Sequence, residues 1–405
     1  MLDTPLSEPA AKSRRRAAKA RKSVLFLAQT PPPHHGQSAI AALVRDVFDK
    51  DAEMVIDQRW SGGAQANTDI GHRTFGKYFG FARLVLELIA LIATGRRYDI
   101  AYLGIAPWAH TALRDVLLTG LAKRLAKRTW MHVHGNGLSA LTSRPGMLGW
   151  MVRRLLAGAE VIAITREVGE EAAESGLFSR ILPLPNMAAD PGDAAPARTG
   201  TLTIACLGNL DPRKGVLDFV DVTSEIAAKD SRIRAIIIGG ETAQLGVDDV
   251  KARAASQGTA HRIRVTGWIS EERKTAELAQ ADIFLYLSRH DLAPVALIEA
   301  LAHGCAPIVL DIGGLSEMVG PELQANVITM AGGDAALAVA RARIEAYLDD
   351  PEALERDKAR ARRRYLDAYS PATFRDGILR FLATGEAAGG GEADGVHTAL
   401  ADQTS

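Results

Sequence analysis

The sequence predicts an α/β protein made of two doubly wound, Rossmann-like parallel sheets with a cleft between them. Three observations carry that expectation. Short continuous apolar runs rich in strand formers alternate with helical segments, the pattern of parallel strands covered on both faces. The alternation stops after Leu184-Pro185-Asn186 in a polar stretch with Pro191, Gly192 and Pro196, and then begins again. At 405 residues the chain also exceeds the size of one ordinary hydrophobic core.

Taken in order, residues 1–22 hold Pro5, Pro9 and seven lysines or arginines with almost no large apolar side chain, and are expected to form a disordered basic tail. The first domain is placed at 23–195. Its strands are SVLFLAQT (23–30), EMVIDQ (53–58), IAYLGI (100–105), TWMHVHG (129–135) and EVIAIT (160–165), and the loop PPPHHGQ leads from the first of them into the helical SAIAALVRDVF. The second domain is placed at 196–369. Its strands are LTIACLG (202–208), IRAIIIGG (233–240), IRVTGW (263–268), ADIFLYLS (281–288) and APIVLDIGG (306–314). A basic amphipathic helix is expected over 351–368, continuing past Ser370-Pro371, and the Gly-rich segment 385–405 is expected to be disordered.

Composition narrows the function classes. Lys and Arg total 48 and so do Asp and Glu, so bulk electrostatics gives nucleic acid no support as a partner. Cys206 and Cys305 are the only cysteines, which offers no disulfide framework and points to a reducing compartment. No apolar run reaches the length of a membrane span; the nearest, Leu84–Ala93, is short and interrupted by Glu87. The basic N-terminus lacks a cleavage-site pattern, so a cytoplasmic location is expected, with peripheral attachment to the inner face of the cytoplasmic membrane left open.

Several stretches have the residue types for chemistry. In LGNLDPRKGVLDFV (207–220), Lys214-Gly215 opens a helix directly after a strand, where free N–H groups already favour an anion. Alone, a solvated lysine in a polar turn is the simpler explanation. In QTPPPHHGQSA (29–39), Gly36 permits close backbone approach to a ligand and Ser38 can cap the helix, although an ordinary Pro-rich turn fits equally well. In MHVHGNGLSA (131–140), Gly135-x-Gly137-x-x-Ala140 imitates a dinucleotide fingerprint. The acid such a site needs at the end of the next strand is instead Glu160 at its start, so a dehydrogenase is set aside. His132 and His134 are assigned to opposite faces of their strand, His134 toward a cleft and His132 to a structural role. Asp49-Lys50-Asp51 reads as solvated turn acids on the wrong side of the sheet, and no His/Cys cluster supports a metal.

The stretch DLAPVALIEALAHG (291–304) is the most informative. With Pro294 as the first helical residue, the amides of Val295, Ala296 and Leu297 lack intrahelical partners and form an anion seat. At about 100° per residue, Leu297, Ile298 and Leu301 share one face. Glu299 lies opposite, beside Ala296, Ala300 and His303, on a face that meets either water or a ligand.

Asp291-x7-Glu299 followed by ALAHGCAPIVLDIGGLSEMV resembles the E-x7-E region of retaining GT-B glycosyltransferases of family 4. Lys214-Gly215 is similar to the Lys-Gly of that family, PLPN (183–186) to its interdomain segment and His134-Gly135 to its N-domain histidine, in an order that covers 23–384. The resemblance implies a GT-B fold whose C-terminal helix, about 370–384, packs back on the first domain. It implies a nucleotide-diphosphate sugar as donor substrate, with no cofactor and no obligatory metal. Glu299 would bond the donor ribose, Asp291 the hydroxyls of the transferred sugar, and the amides at 295–297 the diphosphate. Lys214 would neutralise the leaving diphosphate, the charge stabilisation such a step needs. Gly36 would lie against the donor phosphates, His134 near the sugar, and the backbone around Trp268 and Ile269 near the base. Two departures stand out: Asn209 occupies a position where the family commonly has Arg, with Arg213 as a candidate replacement, and the first Glu of the motif is shortened to Asp291.

The reaction so implied is sugar transfer with retention to a glycan or lipid-linked acceptor, in synthesis of bacterial exopolysaccharide or another surface polysaccharide. A non-catalytic sugar-nucleotide-binding protein and a GT-B sugar-nucleotide epimerase are the alternatives. Segment 72–97 joins basic residues, four aromatics and an apolar helix, and reads either as a membrane-surface element or as a core helix of the first domain. The basic tail would add attraction to anionic lipid. Oligomeric state does not follow from the sequence.

Overall fold

The continuous apolar runs become strands whose two faces are both covered. In β1 (Ser23–Leu27), Val24 and Phe26 pack into one helical layer while Leu25 and Leu27 pack into the other. All four are buried, which is why no polar alternation marks this strand. The computed structural model describes residues 21–32, 36–50, 54–60, 75–107, 111–192, 200–330 and 332–387. Most of the basic tail, His34, His35, Asp51, the expected domain boundary at 195 and the segment after 387 lie outside the described residues.

The first domain runs β1, α1 (Gly36–Lys50), β2 (Val55–Gln58), α2 (Phe75–Ala93), β3 (Tyr98–Ile105), α3 (Ala112–Leu125), β4 (Ala126–Val133), α4 (Leu138–Thr142), α5 (Gly146–Leu156), β5 (Glu160–Ala163), α6 (Arg166–Ser175) and β6 (Arg180–Pro183). Its six strands are parallel, in the order β2-β1-β3-β4-β5-β6. Leu84 and Leu88 of α2, Val116 of α3, Val152 of α5 and Val168 of α6 cover one face of the sheet. Ile40 and Val44 of α1 cover the other.

The second domain runs β7 (Leu202–Leu207), α7 (Val216–Lys229), β8 (Ile233–Ile238), α8 (Val247–Ser256), β9 (Ile263–Val265), α9 (Glu271–Leu278), β10 (Ile283–Tyr286), α10 (Val295–Ala302), β11 (Ala306–Leu310), α11 (Leu315–Val319), β12 (Val327–Ile328), α12 (Gly333–Asp349) and α13 (Pro351–Ala368). Its parallel sheet has the order β12-β11-β10-β7-β8-β9, so the winding reverses between β7 and β10. In such sheets the crevice beyond the strand carboxyl ends at the reversal point is where ligands bind. In the first domain the corresponding point lies between β1 and β3.

The last helix, α14 (Pro371–Ala387), leaves the second domain and packs on the first. Its Phe374, Ile378, Phe381 and Leu382 enter the same cluster as Val24, Phe26 and Trp130. Arg128 and Arg180 fasten it: both pair with Glu160, at 2.6 and 3.1 Å, and both donate to the carbonyl of Phe381, at 3.0 and 3.3 Å. The carboxylate is buried, so two guanidinium groups that also bond the helix backbone are what keep it compensated.

The sequence misses β6 and β12, one edge strand in each sheet. β12 is two residues long and β6 is half-exposed, so neither writes a buried apolar run. Predicted strand ends such as 28–30, 134–135 and 287–288 lie past the last ladder residue, in the loops that face the cleft. Across that cleft Leu292 and Val295 of the second domain pack against first-domain clusters, and polar contacts join the loops. The Asn186 amide donates to the Ala293 carbonyl at 3.1 Å, and the Arg166 amide donates to the Glu317 carboxylate at 3.0 Å.

Candidate functional site

Lys214 and Asp291 meet at the point where the second sheet reverses. After β7 the chain makes one short 3-10 turn, Pro212–Lys214, whose Asp211 cap accepts from the Arg213 amide at 2.8 Å. Gly215 then adopts φ 70°, and a Cβ there would sit 2.1 Å from the Leu287 carbonyl oxygen beyond β10. Only glycine satisfies both the left-handed backbone and that contact. The turn is thereby pressed against the β10 exit, and the Lys214 ammonium forms an ion pair with Asp291.

Asp291 is held from three sides. Besides Lys214, its carboxylate accepts from the hydroxyls of Tyr286 and Ser288, each at 2.6 Å. Burial and then the Asp291 charge push the Tyr286 phenol well above its ordinary range, so it stays a hydroxyl donor. Sequence reading missed both hydroxyls. Positions 286 and 288 share a strand face, and that spacing was the signal available. The shortened first acid is therefore a fixed group whose reach is set by its neighbours.

Helix α10 starts one residue later than expected. Pro294 has φ −68° and ψ 125°, so it is the extended N-cap, and Val295 is the first helical residue. The Leu297 amide donates to the Pro294 carbonyl at 3.1 Å, which tightens the first turn and removes Leu297 from the anion seat. The amides of Val295 and Ala296 are left at the helix start. From the first domain, Gly36 begins α1 opposite this turn: a Cβ on Gly36 would lie 3.6 Å from Val295 Cγ2. Two helix N-termini, from two domains, thus approach each other, with Val295 packed against the first-domain cluster.

Glu299 is neither solvated nor unpartnered. It lies on α10 and accepts from Lys274 of α9 at 2.7 Å. Burial raises the Glu299 carboxyl above the usual range, and the Lys274 charge only partly offsets this. Burial lowers Lys274 too, but Glu299 and Glu271 together outweigh it and leave the ammonium above its ordinary value. Lys274 is 25 positions away in sequence, so no spacing rule points to it.

The remaining expected residues separate. Arg213 is exposed and folded back on Asp211 at 2.7 Å, whereas Lys214 pairs with Asp291, so the two neighbouring cations take different partners. Asn209 is exposed on the same loop. Trp268 is exposed beside Gly240, at the carboxyl end of the sheet past β9, with its Cβ 3.6 Å from where a Gly240 Cβ would lie. Ile269 packs into the cluster beneath α10.

His132 and His134 do not lie on opposite faces. Residues two apart on a strand point the same way, and the two rings stack with centroids 4.2 Å apart and planes 35° apart. His132 is buried, with Nδ1 2.7 Å from the Tyr102 hydroxyl, and burial drives its pKa well down. His134 follows β4 at the cleft edge, near Gly104 and Gln37 of the first-domain reversal point. The glycine motif after it holds no free helix start. The Glu171 carboxylate accepts from the amides of Gly137 and Leu138, at 3.1 and 2.8 Å, and already fills the seat a dinucleotide phosphate needs. Asp49 lies in the last turn of α1, away from these groups, and the terminal Lys50 pairs with Asp46 at 2.7 Å.

The second domain matches the family Glycosyl transferases group 1 over residues 193–364. The chain is 28% identical over 204 residues to GDP-mannose:cellobiosyl-diphosphopolyprenol alpha-mannosyltransferase of Xanthomonas oryzae pv. oryzae, covering 49% of this chain and 50% of that one. It therefore spans about half the length of the curated relatives it matches. In structure it resembles sucrose-phosphate synthase of Thermosynechococcus elongatus, with TM-score 0.66, 15% identity and coverage of 91% and 100% of the two chains. It also resembles Anabaena Alr3699/HepE in complex with UDP-glucose, with TM-score 0.61, 15% identity and coverage of 90% and 100%.

Proposed function

We propose that this chain, which belongs to the glycosyl transferases group 1 and has the GT-B fold, moves a sugar from a nucleotide-diphosphate sugar to a glycan or lipid-linked acceptor. The observation that carries the reading is the Lys214–Asp291 ion pair at the sheet reversal, just before the helix start at Val295, which Gly36 of the first domain approaches. A diphosphate needs a cation and free amides, and a sugar needs a fixed hydroxyl acceptor. These groups supply all three.

On this reading the amides of Val295 and Ala296 and the start of α1 at Gly36 hold the diphosphate, and Lys214 turns from Asp291 toward its oxygens. As the glycosidic bond breaks, the electron pair leaves with the nucleoside diphosphate, and the ammonium meets the growing charge. Asp291, kept in place by Tyr286 and Ser288, accepts from hydroxyls of the transferred sugar. Glu299 bonds the ribose, which requires it to share or yield Lys274. The backbone at Trp268 and Ile269 lies beside the base, Asn209 and Arg213 line the phosphate loop, and His134 approaches the sugar from the first domain.

Retention by front-side attack within the ion pair is what the resemblance of Asp291-x7-Glu299 to the E-x7-E region implies. A lysine stands at the leaving diphosphate, which supports metal-independent transfer. The Xanthomonas relative is named for a polyprenyl-diphosphate acceptor, which supports surface-polysaccharide synthesis at the inner membrane face. Binding of a panel of nucleotide sugars, GDP-mannose and UDP-glucose included, tests the reading by calorimetry. At least one donor should bind wild type and lose most affinity in Glu299→Ala; binding of none would refute it.

A further inference from the structure

Helices α2, α3 and α5 lie side by side on one face of the first sheet, with α3 in the middle. Each returns from the carboxyl end of a strand, so all three N-termini point toward the cleft edge and all three C-termini away from it. Their outer side is unusual. Near the cleft edge it exposes Phe79 of α2, Leu113 and Leu117 of α3, and Met147 and Trp150 of α5; Met147 is 78% exposed, Phe79 76% and Trp150 58%. Isolated exposed apolar groups are ordinary, but ten on these three helices, with Leu86 and Ile89 extending them along α2, form a patch.

The far ends of α3 and α5 are cationic. The Lys123 ammonium donates to the carbonyls of Leu155 and Ala157, which ties the end of α3 to the end of α5 and brings the exposed Arg124 and Arg154 to one edge. Along α3 and α5 five cations meet one acid, Asp115, which is buried and paired with Arg114 at 2.8 Å. The chain as a whole carries 48 of each sign, so this excess is local. A second copy of the chain would set these cations against one another, whereas an anionic lipid surface complements them.

We infer that the outer face of α2, α3 and α5 docks on an anionic bilayer, with Met147, Trp150 and Phe79 entering the interface and Arg124 and Arg154 resting on phosphate headgroups. Aromatic and thioether side chains beside guanidinium groups suit that boundary. Among the described residues no helix is long and apolar enough to cross a membrane, so the contact is a surface one. The apolar end is the cleft end, which presents the open site to the membrane and fits a lipid-linked acceptor. For that acceptor alone the inference rests on the transferase reading.

The test is co-sedimentation of the full chain with phosphatidylcholine vesicles and with vesicles also containing phosphatidylglycerol, without donor or acceptor. Wild type should pellet with the anionic vesicles and show a blue-shifted tryptophan emission. Arg124→Gln with Arg154→Gln should weaken binding roughly 25-fold, at about fivefold per surface cation. Met147→Ser with Trp150→Ser should abolish the blue shift while keeping the wild-type melting curve. The inference is overturned if wild type stays in solution with anionic vesicles, if either double variant binds like wild type, or if the patch instead mediates concentration-dependent dimers. Because no turnover is read, failure here leaves the transferase reading standing, and absence of donor binding leaves this result standing.

Discussion

Replacing Lys214 by alanine isolates the charge on which the proposed donor site depends. In the free chain the Lys214 and Asp291 side chains are 27% and 15% exposed, between the regimes of a surface pair and a buried one. Losing Lys214 still leaves Asp291 with two hydroxyl donors at 2.6 Å, so the carboxylate is not orphaned. The stability cost should then be about 1–2 kcal/mol, above a surface pair and below a broken buried one. The reaction should suffer more. Removing one preorganised group that meets charge developing in the transition state costs about 3–4 kcal/mol, or roughly 10²–10³ in kcat. The assay is release of nucleoside diphosphate at saturating donor, with thermal unfolding run in parallel. A kcat within about threefold of wild type, in a folded variant, would refute the role given to Lys214.

Three further outcomes follow from single contacts. Gly215→Ala places a methyl 2.1 Å from the Leu287 oxygen at φ 70°, and should destabilise the second domain by about 2–4 kcal/mol in denaturant unfolding; a loss under about 1 kcal/mol would mean the turn relaxes freely. His303 is pushed down to about 4, by burial first and then by Arg362 and Lys274. The unfolded ring takes a proton near 6.5 that the folded one refuses, so stability falls as pH drops from about 6.5 to about 4, by about 1–2 kcal/mol for a partly buried ring. Melting of His303→Asn across that window should show a shallower slope, and an unchanged slope would contradict the assignment. Arg128→Met leaves the buried Glu160 with Arg180 alone and should cost about 2–4 kcal/mol, with faster hydrogen exchange along α14; wild-type exchange there would show that Phe374 and Ile378 suffice.

The sheets were legible because buried parallel strands write themselves as unbroken apolar runs, as Val24 to Leu27 and Ile236 to Ile238 show. Edge strands β6 and β12 carry too little buried surface to do so. At the site, Lys214-Gly215 and the α10 start were readable as local backbone chemistry. Their meeting was not, since nothing local states that the turn after β7 presses on the exit of β10. The partners Tyr286, Ser288 and Lys274 belong to the same class, being side chains that matter through sheet order and helix packing. The error at His132 and His134 had a different source: the period of a strand is two residues, so the assignment to opposite faces contradicted the geometry it invoked. The one-residue shift at Pro294 reflects the ordinary uncertainty of helix ends, and it removed one amide from the anion seat.

On the proposed reading the second-domain reversal point holds a nucleotide sugar and releases its diphosphate with Lys214 as counter-charge. The most direct measurement incubates the purified chain with a panel of nucleotide sugars and a bacterial lipid extract, then follows free nucleoside diphosphate and the anomeric configuration of the product. Diphosphate should be released with at least one donor, the product should keep the donor's anomeric configuration, and both signals should be lost in Lys214→Ala. A folded protein that binds a donor but releases no diphosphate with any acceptor fraction, or a product of inverted configuration, would contradict the reading.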